Sequence, residues 1–168
     1  QEIALPNPHI DCTAEFLDLF IRRFSGREGV VAVQIRGRDQ SWGYRPVREG
    51  LTQDLVKKHL AGDQTLGTYL MKRDNTSSLM VIDLDIAKPF LARFDKDPLE
   101  RKRLRDCVLR VGLDLLEAAA GIGLPLLPES SGYKGLHFWA FSWEPLPARY
   151  WRSVGQWLLD RLPPPSRE

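Results

Sequence analysis

Leu79-Met80-Val81-Ile82-Asp83-Leu84-Asp85-Ile86 is an apolar run of strand length, rich in β-branched residues and interrupted only by two aspartates two positions apart. Side chains alternate faces along a strand, so Asp83 and Asp85 project from one side while Ile82, Leu84 and Ile86 project from the other. Two strand rises set the carboxylates roughly 6 to 7 Å apart. Apolar neighbours on both sides predict a central strand, where an isolated pair of like charges is expensive. A divalent cation removes that expense. Mg²⁺ and Mn²⁺ prefer carboxylate oxygens and commonly carry the phosphates of a nucleotide as their other ligands. The competing reading is a strand end whose aspartates face water or pair with arginines.

The 168 residues suffice for one domain, or for two small halves sharing a core. A composition of 43% hydrophobic and 27% charged residues is that of a soluble globular protein. The net charge of +2 is too small to demand a nucleic-acid partner, yet it leaves room for a local basic patch. Cys12 and Cys107 stand far apart in no metal-type spacing, which supports neither a zinc site nor a disulfide framework and makes a reducing interior the default. No apolar run approaches the roughly 18 residues of a membrane span, and no signal-peptide pattern opens the chain. The reading is therefore a cytoplasmic protein with no membrane partner. The chain begins with Gln1, and Pro163-Pro164-Pro165-Ser166-Arg167-Glu168 has the composition of a linker, so the expectation is one domain fused to others in a larger protein.

Outward from the aspartate strand, periodicity organises the rest. Residues 1 to 10 form an extended lead-in. Asp11 or Thr13 caps a helix on which Phe16, Leu17, Phe20, Ile21 and Phe24 repeat at helical spacing, with Arg22, Arg23 and Arg27 at its polar face and exit. Those arginines are either a solvated face or a phosphate contact. Val30 to Arg36 reads as a strand, Gly37 to Gln40 as a turn, and Ser41 to Tyr44 as the second arm of a hairpin. Thr52 caps a short helix ending at Leu60; His59 on it is given no role. Gly67 to Met71 is predicted to form a hairpin with the aspartate strand. Pro89 stops that strand, a long amphipathic helix runs from Pro98 to Ala120 with Leu104, Val108, Val111 and Leu115 on one stripe, and Leu124 to Ser130 is extended. Gly135 to Ser142 is a strand, and a final helix opens at Pro147 and buries Trp151, Val154, Trp157 and Leu158. The order predicts an α+β protein with helices on one face of a mainly antiparallel sheet.

Ser130-Ser131-Gly132-Tyr133-Lys134-Gly135-Leu136-His137 is the second informative stretch. Glycines let the backbone turn tightly and approach a ligand, while hydroxyls, amides, a lysine and a histidine supply donors suited to a triphosphate. A glycine-containing hairpin turn with a satisfied histidine is the alternative.

Together, the hhhDhD strand (Val81 to Asp85), a helix and SxG-x-K-G-x-H (Ser130 or Ser131, Gly132, Lys134, Gly135, His137) resemble the archaeo-eukaryotic primase (AEP, or PrimPol) superfamily. The histidine motif is similar to that of the polymerase domain of bacterial end-joining ligases. The wider frame resembles the primase-polymerase domain of TOTE conflict systems and CRISPR-associated primase-polymerases, through Phe24-Ser25-Gly26-Arg27-Glu28, Gly43-Tyr44-Arg45-Pro46, His59-Leu60-Ala61-Gly62, Gly67-Thr68-Tyr69 and Ala148-Arg149. The resemblance implies a single primase-polymerase-like domain over residues 1–168: an N-terminal α/β unit at about 11–66, an RRM-like antiparallel sheet with helices packed on it at about 67–162, and the start of a linker at 163–168.

It also implies two-metal nucleotidyl transfer, with Asp83 and Asp85 holding two Mg²⁺ or Mn²⁺ ions. His137 would contact the incoming nucleotide's phosphates, assisted by Ser130, Ser131, Gly132, Lys134 and Gly135, and Arg22, Arg23 and Arg27 would contact nucleic acid. The partners implied are a DNA template and primer and an NTP or dNTP. One departure stands out: the family has a third acidic residue on a later strand, and neither Glu144 nor Asp160 has that context. A primase-polymerase is thus the leading reading. A catalytically inactive AEP-like nucleic-acid-binding module and a metal-dependent nuclease are the alternatives.

Overall fold

The computed structural model describes residues 12–37 and 40–163. The lead-in, the Asp11 cap and most of the proline-rich end therefore lie outside the described residues. The fold is α+β; the described residues form two small antiparallel sheets and five helices, and the chain divides into two compact units, one through Thr76 and one from Ser77.

In the first unit, α1 (Ala14–Phe24) starts where the Thr13 hydroxyl accepts the Phe16 amide at 3.2 Å. β1 (Val31–Arg36) and β2 (Trp42–Val47) form the expected hairpin, with Val31 opposite Val47 and Arg36 opposite Trp42. Thr52 caps α2 (Gln53–Leu60) by accepting the Leu55 amide. Leu17, Val31, Ala32, Val33, Leu55 and Val56 are the buried apolar residues described in this unit.

Here the structure corrects one expectation. Only Leu66–Thr68 is strand (β3), and it pairs with β1 rather than with the aspartate strand, giving the order β2-β1-β3. The Tyr69 carbonyl is taken by the Arg27 amide at 2.7 Å, so the loop after α1 occupies the position that a hairpin ladder would need. A Cβ on Gly26 would collide with that carbonyl, which explains the glycine.

The second unit contains β4 (Thr76–Asp85), α3 (Lys88–Lys96), α4 (Pro98–Ala120), β5 (Leu127–Ser130), β6 (Gly135–Pro147) and α5 (Ala148–Leu159). Its sheet has the order β4-β6-β5. Ser142 Oγ donates to the Ser78 carbonyl at one end, and the Ile86 amide donates to the Lys134 carbonyl at the other, so β4 and β6 run antiparallel. β4 is thus an edge strand among the described residues, not the central strand its apolar flanks predicted. Its burial comes from helices instead of neighbouring strands: Met80 and Ile82 join Leu115 and Ala119 of α4, Phe138 and Ala140 of β6, and Trp151 and Leu158 of α5 in one core.

The short helix α3 is an addition to the sequence reading. It opens at Lys88 with Pro89 in its first turn and without a side-chain cap, and Phe94 is its one buried residue. Asp97 then starts α4 by accepting the Leu99 and Glu100 amides at 2.8 and 3.3 Å. Helix α4 meets β6 closely: a Cβ on Gly112 would lie 2.9 Å from Phe138 Cζ and 3.2 Å from Leu136 Cδ1. Phe138 is buried and cannot swing away. Gly112→Val is therefore expected to cost about 2 to 3 kcal/mol, outweighing the modest gain in helix propensity. A urea titration followed by circular dichroism should show a lower midpoint, and an unchanged midpoint would contradict this packing.

Candidate active site

Strand alternation sorts the second sheet into two faces. Ile82, Leu84, Leu136, Phe138 and Ala140 face the helices, and Asp83, Asp85, His137 and Trp139 face away. The antiparallel pairing of β4 with β6 sets Asp83 against His137, whose Nε2 lies 3.8 Å from Asp83 Oδ1. That distance is an ion-pair contact only when the imidazole is protonated, and it is too long for a hydrogen bond. One step along, the Lys134 ammonium donates to Asp85 Oδ2. The structure thus brings Asp83, Asp85, Lys134 and His137 together.

Gly135 makes this approach feasible. A Cβ there would overlap Asp85 Oδ1 and the Leu84 carbonyl, so any side chain would drive β6 away from the aspartates. The serines of the same turn are engaged internally: Ser131 Oγ accepts the Gly135 amide at 3.0 Å, and Ser130 Oγ accepts the Gly132 amide at 3.3 Å. Gly132 sits at φ +82°, the left-handed region that glycine tolerates. Each serine hydroxyl still has its own proton to donate. Tyr133 packs edge-on against Phe94 and donates its hydroxyl to Asp95; that carboxylate raises the phenol above its usual pKa. Behind the turn lies a cavity of about 340 Å³, mainly apolar, with Arg105 and Lys134 as its cations.

One carboxylate of the site escaped the sequence reading. Glu129 on β5 lies directly opposite His137 on β6. Its Oε2 accepts the Trp139 indole N–H at 2.7 Å and lies 3.1 Å from His137 Nδ1. A carboxylate can only accept, so this contact places a proton on Nδ1 and turns Nε2 toward Asp83. The signal for Glu129 was the β5–β6 register, which becomes visible only once the serine-glycine turn is known to be short.

Arg22 and Arg23 occupy the last turn of α1 in the first unit, and the Arg27 guanidinium lies 5.8 Å over the Tyr69 ring. Glu144 is on β6 and Asp160 follows α5, where it accepts from Gln156. Among the described residues, no three His, Cys, Asp or Glu side chains converge as a ready metal site. The oxygen-only pair Asp83 and Asp85 matches the ligand preference of Mg²⁺ or Mn²⁺, with Lys134 as a competitor for Asp85.

The family model for the archaeo-eukaryotic primase domain of the TOTE conflict system matches residues 15–168. The chain belongs to this family. The archaeo-eukaryotic primase domain described here is accordingly primase-like, a type that handles nucleotides and nucleic acid. A search of curated proteins found no match. No described helix of the domain is long and apolar enough to cross a membrane.

Two outcomes check this geometry. Gly135→Ala should separate β6 from Asp85 and lower stability by about 1 to 3 kcal/mol, read as a drop in melting temperature. Glu129→Leu should release His137: ¹⁵N spectra of the imidazole are expected to change from one tautomer to an exchanging mixture, whereas Glu129→Gln, which keeps an acceptor, should stay close to wild type.

Proposed function

We propose that this AEP domain catalyses template-directed nucleotidyl transfer from NTP or dNTP, as the polymerase or primase part of a larger protein. The observation that carries the reading is the shared face of Asp83, Asp85 and His137, on a strand pair whose turn supplies Lys134 and glycine-flanked amides. Asp83 and Asp85 would hold Mg²⁺ or Mn²⁺. Such ions supply charge neutralisation at the α-phosphate and lower the pKa of an attacking hydroxyl. The domain's own groups do the rest. Lys134, once off Asp85, and His137, as an imidazolium donating through Nε2, would bind and orient the phosphates, while Ser130, Ser131 and the amides of Gly132 and Gly135 would hold the turn against them.

The β4-β6-β5 order, with α4 and α5 on one face, also supports an RRM-like sheet. RRM sheets have four strands, and a further strand would pair with the edge of β4 that has no neighbour among the described residues. The nucleic acid would be a DNA template with its primer, and Arg22, Arg23 and Arg27 of the first unit would contact its phosphates.

Primer extension on the protein with Mg²⁺ or Mn²⁺ tests the proposal. Asp83→Asn with Asp85→Asn should reduce incorporation about a thousandfold, the scale of the several kcal/mol that metal charge stabilisation provides. Equal incorporation by that double variant, with its circular dichroism unchanged, would refute the assignment. Salt-sensitive DNA binding without any Mn²⁺-dependent nucleotide affinity in calorimetry would instead favour an inactive binding module.

A further inference from the structure

The first unit presents a second surface with its own chemistry. Register places Trp42, Tyr44, Gln34 and Arg36 on one face of the β1–β2 hairpin, because Arg36 pairs with Trp42 and Gln34 with Tyr44. Trp42 is 65% exposed and Tyr44 56%, unusual for two large rings two residues apart on one strand. Both are pre-set. The Arg36 guanidinium lies 5.6 Å over the Trp42 ring, and the edge of the Tyr44 ring lies 3.5 Å from where a Cβ of Gly67 would sit. Gly67, opposite Ala32 on β3, provides a floor without a side chain for the tyrosine to rest on.

We propose that this face binds single-stranded DNA, with successive bases stacking on Trp42 and Tyr44 and a phosphate held by Arg36. Two flat rings about 7 Å apart along a strand match a stretched single strand, whose bases splay apart to take one ring each. The charge agrees. Among the described strand residues on this face Arg36 is the one charged side chain, a cation suited to a phosphate, whereas Arg45, opposite Val33, projects from the other face. Strand β2 is exposed along nearly its whole length, so a partner would reach both rings without displacing core. The choice of DNA over RNA rests on the template-directed reading above; the surface itself does not depend on the carboxylate site.

Fluorescence anisotropy of a labelled oligo(dT), in EDTA and without nucleotide, tests the surface independently of transfer activity. Trp42→Ala with Tyr44→Ala is expected to weaken binding about tenfold or more, and Trp42→Phe with Tyr44→Phe to stay close to wild type. An abasic oligonucleotide of equal length should bind wild type as weakly as oligo(dT) binds the double alanine variant. Should that variant fail to fold by circular dichroism, the abasic comparison on wild type decides alone. Double-alanine affinity within about twofold of wild type, or abasic binding as tight as oligo(dT), would overturn the proposal. Preference for oligo(rU) over oligo(dT) would overturn the assignment to DNA.

Discussion

Two carboxylates projecting from one strand repel each other, and the site face of this domain is arranged around that repulsion. Strand β6 answers Asp85 with the Lys134 ammonium and sets the His137 imidazole against Asp83. Both contacts require the strands to approach closely at Gly135, where no side chain fits. Removing the glycine would therefore disturb both contacts at once. On the proposed reading the same closeness is useful, since the Lys134 ammonium that neutralises Asp85 in the resting protein would stand near a nucleotide's phosphates.

The strands that carry the candidate site also carry the core. Asp83 lies between Ile82 and Leu84, and His137 between Leu136 and Phe138, so each of these polar side chains is flanked by residues packed on α4 and α5. A one-residue slip of β6 would turn Phe138 out to solvent and His137 into the core. Burial of Phe138 thus fixes His137 more firmly than any contact on the open face. Trp151 adds to this by donating its indole N–H to the Ser77 carbonyl at 2.9 Å, which anchors the start of β4 to α5.

Much of this was legible in the residues. The caps Thr13 and Thr52, the stripe of Leu104 and Leu115, and the alternation around Asp83 and Asp85 are local signals, and each element formed where they pointed. Pairing is not local. Gly67-Thr68 reads as a strand from its own residues, but its partner depends on the Arg27 amide that claims Tyr69. The edge position of β4 was hidden for a related reason: its apolar residues are buried by helices distant in sequence, and composition cannot tell that from burial between strands. Helix α3 is short, uncapped and charged, with only Phe94 inside, so it has almost no periodic signature.

Glu129 bears on the third carboxylate that the family resemblance calls for. It lies on β5, and β6 separates β5 from β4. His137 consequently stands between Glu129 and Asp83, with Nδ1 3.1 Å from one and Nε2 3.8 Å from the other. An ion held by Asp83 could not reach Glu129 without displacing the imidazole, and Glu129 Oε2 already accepts from Trp139. On the proposed reading Glu129 would therefore act through the histidine, fixing which nitrogen faces Asp83, rather than stand in for a metal ligand. Asp83 and Asp85 are exposed on the sheet face, so a further carboxylate completing the site could approach over that face or from the edge of β4 away from β6.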